Sequence, residues 1–142
     1  MNKAMELPMG VDAYDPVDQG FFPVVFFEQW RVAVLNYCDI VEKNLLYRLE
    51  RHTQTDEVFV LQRGQAWLII AGSGALPQQP VTFPMEKNTV YNIAQNCWHH
   101  VIMTGDASIL IVENADTGDT NSEYAELSLE SIKALKAQIT FG

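Results

Sequence analysis

Short apolar runs separated by turn-forming residues dominate the chain from Phe21 to Leu110. The runs are rich in Val, Ile, Phe, Tyr and Trp, which favour strands, and they recur about every 8 to 12 residues without helical segments between them. This pattern predicts an antiparallel β-sandwich or barrel over about residues 21–115. The predicted strands are residues 24–28, 31–37, 44–52, 57–62, 65–71, 80–83, 89–93, 99–103 and 107–113.

The two ends of the chain have different patterns. Residues 1–20 combine prolines and aspartates without periodicity, which predicts an irregular N-terminal arm. Near the other end, apolar residues recur at three- and four-residue steps, which is typical of an amphipathic helix with Ser128 as N-cap. These residues are Leu129, Ile132, Leu135 and Ile139. We predict a helical segment over about residues 122–140, and a single domain over residues 1–142.

Composition and charge narrow the range of functions. The chain has 142 residues, with 9 Lys and Arg against 18 Asp and Glu, and no basic cluster that would bind nucleic acid. Pro23 interrupts the longest apolar run, so we expect no membrane partner. Cys38 and Cys97 are too few for a disulfide framework, which predicts reduced thiols and a cytoplasmic protein. The acidic residues between 113 and 126 are interpreted as a solvated connection.

Three histidines, His52, His99 and His100, stand near acidic residues. Strand alternation puts Arg48, Glu50 and His52 on one face. If the next strand, which starts at Glu57, pairs beside it, Glu50, His52 and Glu57 point into one cavity. A third strand would then add His99 from across the barrel. Imidazoles and carboxylates together suit a divalent metal ion such as Mn, Fe, Zn or Ni.

The spacing of these residues resembles the two sequence motifs of cupins. The first motif consists of a glycine, two histidines, a glutamate and a final glycine. In this chain these positions fall, in that order, on Asn44, Glu50, His52, Glu57 and Gly64. The second motif falls on Asn88, Ala94, Asn96, His99 and Met103. The segment TDEVFVLQRG is also similar to small single-domain cupins of the mannose-6-phosphate-isomerase-like type (the cupin_2 type of the RmlC-like superfamily). The resemblance covers roughly residues 30–115 and implies a conical jelly-roll barrel, or double-stranded β-helix.

The chain departs from the cupin motifs at several positions. Glu50 stands where the first motif has its first histidine, so the implied site offers two imidazoles, His52 and His99, and two carboxylates, Glu50 and Glu57. This set still suits octahedral Mn or Fe. Three asparagines replace glycines, and asparagine tolerates the left-handed turn conformation better than most residues. Met103 stands where the second motif has an asparagine.

Several residues of the predicted site have two interpretations. Glu50 is either a metal ligand or the salt-bridge partner of Arg48, because buried charges need a partner or a metal ion. Tyr37 and Tyr91 line a substrate pocket with Arg48, or they belong to the packed core. The cupin spacing selects His99 for the site and leaves His100 as a surface or interface residue.

The resemblance therefore implies two functions. The first is a metal-dependent isomerase, epimerase or dioxygenase that acts on a small sugar-like or carboxylate molecule, with Glu50 and Glu57 as catalytic carboxylates. The second is a metal-free protein that binds a small molecule without catalysis, which the missing first histidine favours. A third possibility is a structural dimer with a vestigial pocket. Related proteins are commonly homodimers, and the apolar segment FFPVVFF and outward-facing Val58 and Val60 are consistent with a dimer.

Overall fold

The computed structural model describes residues 6–142, which form ten β-strands and one α-helix. The first five residues of the predicted arm lie outside the described part. The strands are β1 (Gly20–Phe27), β2 (Trp30–Asn36), β3 (Arg48–His52), β4 (Glu57–Arg63), β5 (Ala66–Ile70), β6 (Val81–Pro84), β7 (Val90–Ile93), β8 (His99–Met103), β9 (Ser108–Asn114) and β10 (Ser122–Glu126). The helix, α1, is Leu129–Gln138.

The strands form two five-stranded sheets in which every pairing is antiparallel. The first sheet has the order β1-β2-β9-β4-β7 and the second has the order β10-β3-β8-β5-β6. Buried residues of both sheets pack into one core between them, for example Phe59 and Ile111 from the first sheet and Leu68 and Val101 from the second. This is the jelly-roll arrangement that the cupin resemblance implies.

Helix α1 covers the outer face of the second sheet. Leu135 and Ile139 are fully buried and pack in one cluster with Leu49 and Ile102 of that sheet. The helix begins as predicted, because the Ser128 hydroxyl accepts a hydrogen bond from the Ser131 amide at 3.1 Å. Within residues 6–142, no helix is long and apolar enough to cross a membrane. Cys38 and Cys97 are free thiols, and the cytoplasmic location stays a prediction.

Three predicted boundaries were wrong. The first strand begins at Gly20, four residues before its predicted start. Residues 43–45 form a short 3-10 helix, so the strand predicted from residue 44 begins only at Arg48. Residues 122–126, predicted as part of the helical segment, form strand β10 and pair with β3 at the sheet edge. The sequence SEYAE has no apolar run because this edge strand is largely exposed, so its composition carried no strand signal.

The predicted pairing of the strands around Glu50 and Glu57 was also wrong. We expected adjacent strands of one sheet, but β3 and β4 lie in opposite sheets. The amide of Thr53 donates to the Asn121 carbonyl oxygen beside β10, whereas the hydroxyl of Thr55 accepts from the Asn114 amide at the end of β9. The chain therefore crosses from one sheet to the other within residues 53–56. The neighbours of β3 are β10 and the His99 strand, β8.

Two of the three asparagines that replace cupin glycines adopt the conformation expected of them. Asn88 and Asn96 have φ values of 64° and 67°, in the left-handed region. Asn44 lies in the 3-10 helix instead. At Gly64 the backbone has φ 73°, and an added Cβ would lie 2.4 Å from the Ala107 Cα. Only glycine meets both constraints there.

Replacing Gly64 by alanine should therefore destabilise the protein. We expect Gly64→Ala to lower the free energy of unfolding by at least about 2 kcal/mol, because the new Cβ adds backbone strain and a steric clash. Urea unfolding followed by tryptophan fluorescence measures the change. Gly105→Ala is the matched control, since nothing lies within 4 Å of a Cβ added at Gly105. Equal effects of the two substitutions would contradict the steric explanation.

Candidate metal centre

Four side chains converge between the two sheets. Glu57 Oε1 lies 2.9 Å from His99 Nε2 and 3.4 Å from His52 Nε2. Glu50 Oε1 lies 3.8 Å from His99 Nε2 and 4.0 Å from His52 Nε2. The structure thus brings together all four residues that the sequence predicted as ligands. Their arrangement differs from the prediction, since Glu57 comes from the facing sheet and His99 from the adjacent strand.

The strand register explains this convergence. Glu50 and His99 are direct cross-strand partners in β3 and β8, so their side chains share one face of the second sheet. His52 follows two residues after Glu50 and occupies the same face. His99 and Glu57 are 1% and 5% exposed, whereas the Glu50 side chain is 35% exposed. Glu50 therefore lies on the accessible side of the cluster.

The remaining ring nitrogen of each histidine has a partner. His99 Nδ1 lies 2.9 Å from the Cys97 carbonyl oxygen, which can only accept, so Nδ1 carries the proton of the neutral ring. The lone pair is then on Nε2, which faces the carboxylates. His52 Nδ1 lies 2.7 Å from the Ser122 hydroxyl. Metal-binding histidines are held by this kind of second contact, which orients the ring and makes the other nitrogen a better ligand.

These residues fit a divalent cation. His52 Nε2, His99 Nε2 and Glu57 Oε1 are buried and make no well-directed hydrogen bond within residues 6–142. Buried polar atoms without partners are costly, and a cation among them would satisfy all three. Ligand atoms around a first-row metal ion lie about 3 to 3.5 Å apart, close to the spacing of this cluster. The cluster offers two imidazoles and two carboxylates, as predicted.

The charged groups of the cluster shift one another's pKa values. Burial lowers the pKa of His99, but the adjacent Glu57 carboxylate outweighs burial and raises the pKa to about 9. Burial raises the pKa of Glu57, but the imidazoles of His52 and His99 outweigh it and hold the pKa below its usual value. Burial, with the charge of Glu57, raises the pKa of Glu50. Glu57 is thus the principal anion of the cluster.

Glu113 and Arg31 lie beside the cluster, and the sequence analysis did not assign them to the site. Glu113, interpreted there as part of a solvated connection, is only 5% exposed. Its carboxylate accepts a hydrogen bond of 2.8 Å from Arg31 Nη2 and has an oxygen within 4.8 Å of ligand atoms of His52 and Glu57. Burial and the nearby Glu57 raise its pKa to about 8. The sequence does contain a pattern that indicates burial of Glu113, because Ile109, Ile111 and Glu113 occupy alternate positions on the buried face of β9.

A cavity of about 770 Å³ opens beside the cluster and includes Arg48 in its lining. Much of the wall is apolar, with Leu35, Ile40, Val41, Phe59, Val101 and Ile111. Arg48 does not form the ion pair with Glu50 that was one of the two alternatives for Glu50. Its guanidinium stacks on the Tyr124 ring instead, at 4.0 Å. The cavity is therefore a mostly apolar chamber with a polar cluster of site residues, which is common for small-molecule sites.

The structure places three other predicted residues differently. Tyr37 and Tyr91, predicted to line the pocket with Arg48, lie outside this cavity. The Tyr37 hydroxyl donates to Glu42 at 3.1 Å, and the Tyr91 hydroxyl accepts from the Glu86 amide at 2.8 Å. His100 was predicted as a surface or interface residue. It is half-buried, and its Nε2 donates to the Ile40 carbonyl oxygen at 2.9 Å. That bond keeps His100 Nε2 from acting as a ligand.

A comparison with protein families identifies the chain. The profile of the auxin binding protein family matches residues 44–115, half of the chain, and includes all four converging residues. The chain belongs to the auxin binding protein family. The matching family is not specifically the mannose-6-phosphate-isomerase-like type of cupin that the sequence analysis predicted. Among curated proteins, no sequence matches the chain.

Solved structures support the fold of this auxin binding protein family member. A variant of Streptomyces Pac13 solved with uridine is 8% identical, covers 81% of this chain and 86% of its own, and gives a TM-score of 0.58. Pac13 is described as a nucleoside dehydratase with a β-barrel. The capsular polysaccharide assembling protein CapF of Staphylococcus aureus is 12% identical, with a TM-score of 0.53 over 80% of this chain and 31% of its own.

A cupin-2 domain protein from Shewanella frigidimarina is also similar. It is 18% identical, covers 69% of this chain and 84% of its own, and has a TM-score of 0.49. The predicted fold class, an all-β cupin jelly roll with a C-terminal helix, is confirmed by the two antiparallel sheets and the Pac13 likeness.

The pKa shifts predict how pH affects the chelator-treated protein. His99 and Glu113 have pKa values of about 9 and about 8 in the fold, above about 6.5 and 4.3 for unfolded chains. The folded state therefore binds more protons, and the free energy of unfolding should fall as pH rises from 7 to 9. Urea unfolding at each pH tests this. His99→Gln should make the decrease in the free energy of unfolding between pH 7 and 9 smaller.

His100→Gln is the control for this measurement. Burial lowers the pKa of His100 to about 4, so the residue is already neutral throughout this range and its replacement should leave the slope unchanged. A free energy of unfolding that stays constant or rises between pH 7 and 9 would contradict the assigned shifts.

Proposed function

We propose that the chain binds a divalent transition-metal ion through His52, His99, Glu57 and Glu50, and uses it to act on a small polar molecule in the cavity. The observation that carries the proposal is the orientation of the two imidazoles. Each has Nδ1 held by a neighbouring group and Nε2 directed at the carboxylates. Imidazoles held in this way are typical of metal ligands. Mn, Fe, Zn and Ni are the candidate ions.

The ion would supply Lewis acidity toward a carbonyl or hydroxyl oxygen of the bound molecule. The residues of the chain then have separate roles. Glu57 and His99 are buried and hold the site rigid, whereas Glu50 is partly exposed on the cavity side and has a raised pKa. Glu50 is therefore the carboxylate best placed to take or give a proton. Isomerisation, epimerisation and dioxygenation are the reaction classes that we propose.

The expected ligand is a small organic molecule, either sugar-like or a carboxylate. Three observations support this: the cavity volume of about 770 Å³, the family name, which refers to binding of the small molecule auxin, and the uridine in a protein of the same fold. The apolar wall would hold the body of such a ligand, and the polar cluster would orient its oxygen atoms.

A metal-free binding protein is the second candidate. The observation that favours it is the contact of 2.9 Å between Glu57 and His99, since a protonated His99 would neutralise this carboxylate without a metal ion. Glu50 in place of the first cupin histidine also favours it. In that case the cavity would bind its ligand without catalysis.

Metal content separates the two candidates. We expect protein purified without chelator to contain close to one equivalent of Mn, Fe, Ni or Zn by plasma mass spectrometry. His52→Ala and His99→Ala should each weaken the affinity at least about 100-fold, because each removes a direct ligand. His100→Ala is the matched control and should retain the metal, since its Nε2 is bonded to the Ile40 carbonyl oxygen.

Two outcomes would count against the metal proposal. Wild-type protein that takes up none of the four ions after incubation with each would favour the metal-free alternative. Equal loss of metal in all three histidine variants would mean that the site is not built on His52 and His99.

We also propose a homodimer in which β1 contributes to the interface. β1 is an edge strand, and Phe26, Phe27 and Trp30 beside it are 60%, 58% and 44% exposed. Large aromatic side chains exposed together at a sheet edge are typical of interfaces. Phe26→Glu should convert the dimer to a monomer in analytical ultracentrifugation, whereas Val90→Glu at the other edge of the sheet should not. A monomeric wild-type protein would end this proposal.

A further inference from the structure

Three charged residues lie side by side on the face of the first sheet that lines the cavity. Arg31 of β2 is the cross-strand partner of Glu113 of β9. On the other side of β9, Val112 pairs with Val58 of β4, and the same antiparallel register places Glu57 opposite Glu113. Side chains of direct cross-strand neighbours are close enough to interact. The row therefore runs from an arginine to the central carboxylate of the candidate metal centre.

The two oxygens of the Glu113 carboxylate have different surroundings. Oε1 accepts the hydrogen bond of 2.8 Å from Arg31 Nη2. Oε2 is buried and has no hydrogen-bond partner within residues 6–142. A buried carboxylate oxygen without a partner is costly. Arg31 therefore satisfies one oxygen of Glu113 and leaves the other without a partner in the interior of the protein.

The free oxygen of Glu113 lies near other atoms that lack partners. Within the described part of the chain, three such buried atoms belong to the candidate metal centre: His52 Nε2, His99 Nε2 and Glu57 Oε1. A Glu113 oxygen lies within 4.8 Å of ligand atoms of His52 and Glu57. Ligand atoms on opposite sides of one first-row metal ion lie about 4 to 4.4 Å apart. The Glu113 carboxylate is therefore within reach of an ion that His52 and Glu57 bind.

The charges of these residues also favour a cation at this point. Glu57 and Glu113 are carboxylates in adjacent positions, and like charges directly opposite each other destabilise a sheet. Arg31 compensates only one of them. Glu50 adds a third carboxylate on the accessible side of the cluster. A divalent ion together with Arg31 would carry three positive charges and balance the three carboxylates, and buried charges are tolerated when they are paired in this way.

We propose that Glu113 is a fifth protein ligand of the ion, through Oε2, and that it raises the affinity of the site for Mn relative to Zn. This inference rests on the proposed function in one respect, namely that the cluster binds a divalent ion. It adds a ligand from outside the two cupin motifs. Zn is typically four-coordinate, so the four converging residues satisfy it. Mn prefers oxygen ligands and octahedral coordination, so a third carboxylate stabilises Mn more than Zn.

Calorimetric titration of chelator-treated protein with manganese chloride and, separately, with zinc chloride tests the assignment. The readout is the ratio of the two dissociation constants, because a general loss of structure weakens the binding of both ions. Glu113→Gln should weaken the binding of Mn at least about tenfold more than that of Zn. Glu113→Asp keeps the charge but withdraws the carboxylate by one methylene group, so it should shift the ratio in the same direction.

Glu123→Gln is the matched control. Glu123 is also paired with an arginine, since one of its oxygens lies 3.0 Å from Arg51 Nη2, but its side chain is 52% exposed. The substitution removes the same charge from the protein and should leave the ratio of the two dissociation constants at its wild-type value. Urea unfolding midpoints establish that all variants are folded.

Two results would overturn the inference. If Glu113→Gln keeps the wild-type ratio, Glu113 is not a ligand. If Glu113→Asp binds both ions as wild type does, Glu113 acts through its charge alone.

The same titrations separate this inference from the metal proposal. If wild type binds both ions, His52→Ala loses them and Glu113→Gln keeps the ratio, the metal proposal stands and the role of Glu113 is wrong. If wild type binds neither ion, the metal proposal and the role of Glu113 are both wrong.

Discussion

The contact of Glu57 with His52 and His99 is the interaction on which the site depends. It joins the two sheets at their buried interface, because Glu57 belongs to one sheet and both imidazoles belong to the other. A carboxylate at 5% exposure is costly unless positive charge faces it. Protonated imidazoles or a metal ion can each supply that charge. The surrounding groups, Arg31 with Glu113 on one side and Glu50 on the other, adjust the charge around this contact.

Much of the fold was readable from local patterns. The nine predicted strands all correspond to observed ones because their apolar runs are short and bounded by turn residues such as Gly64, Asn88 and Asn96. The face assignments on β4 were right, since Glu57, Phe59 and Leu61 alternate inward. The four converging residues followed from the cupin spacing, which records positions along the chain and needs no knowledge of strand pairing.

What the sequence left open depends on contacts between distant segments. The placement of β3 and β4 in opposite sheets is decided by hydrogen bonds of Thr53 and Thr55 to Asn121 and Asn114, which no local pattern reveals. Strand β10 was missed because an exposed edge strand has no apolar periodicity. Arg48 was predicted on the pocket wall, but its stacking on Tyr124 depends on that missed strand. Glu113 was misassigned because the run of acidic residues after it suggested solvent.

Strand β10 has a consequence for how such a protein diversifies. The converging residues all lie within residues 44–115, the part that matches the family, whereas Ser122 and Tyr124 lie beyond it in β10 and Arg31 lies before it in β2. Ser122, which contacts His52 Nδ1, and Tyr124, on which Arg48 stacks, thus belong to a different stretch of the chain from the four converging residues. Substitutions in β10, an exposed edge strand with few packing constraints, can alter what the chamber admits while the central cluster is inherited unchanged.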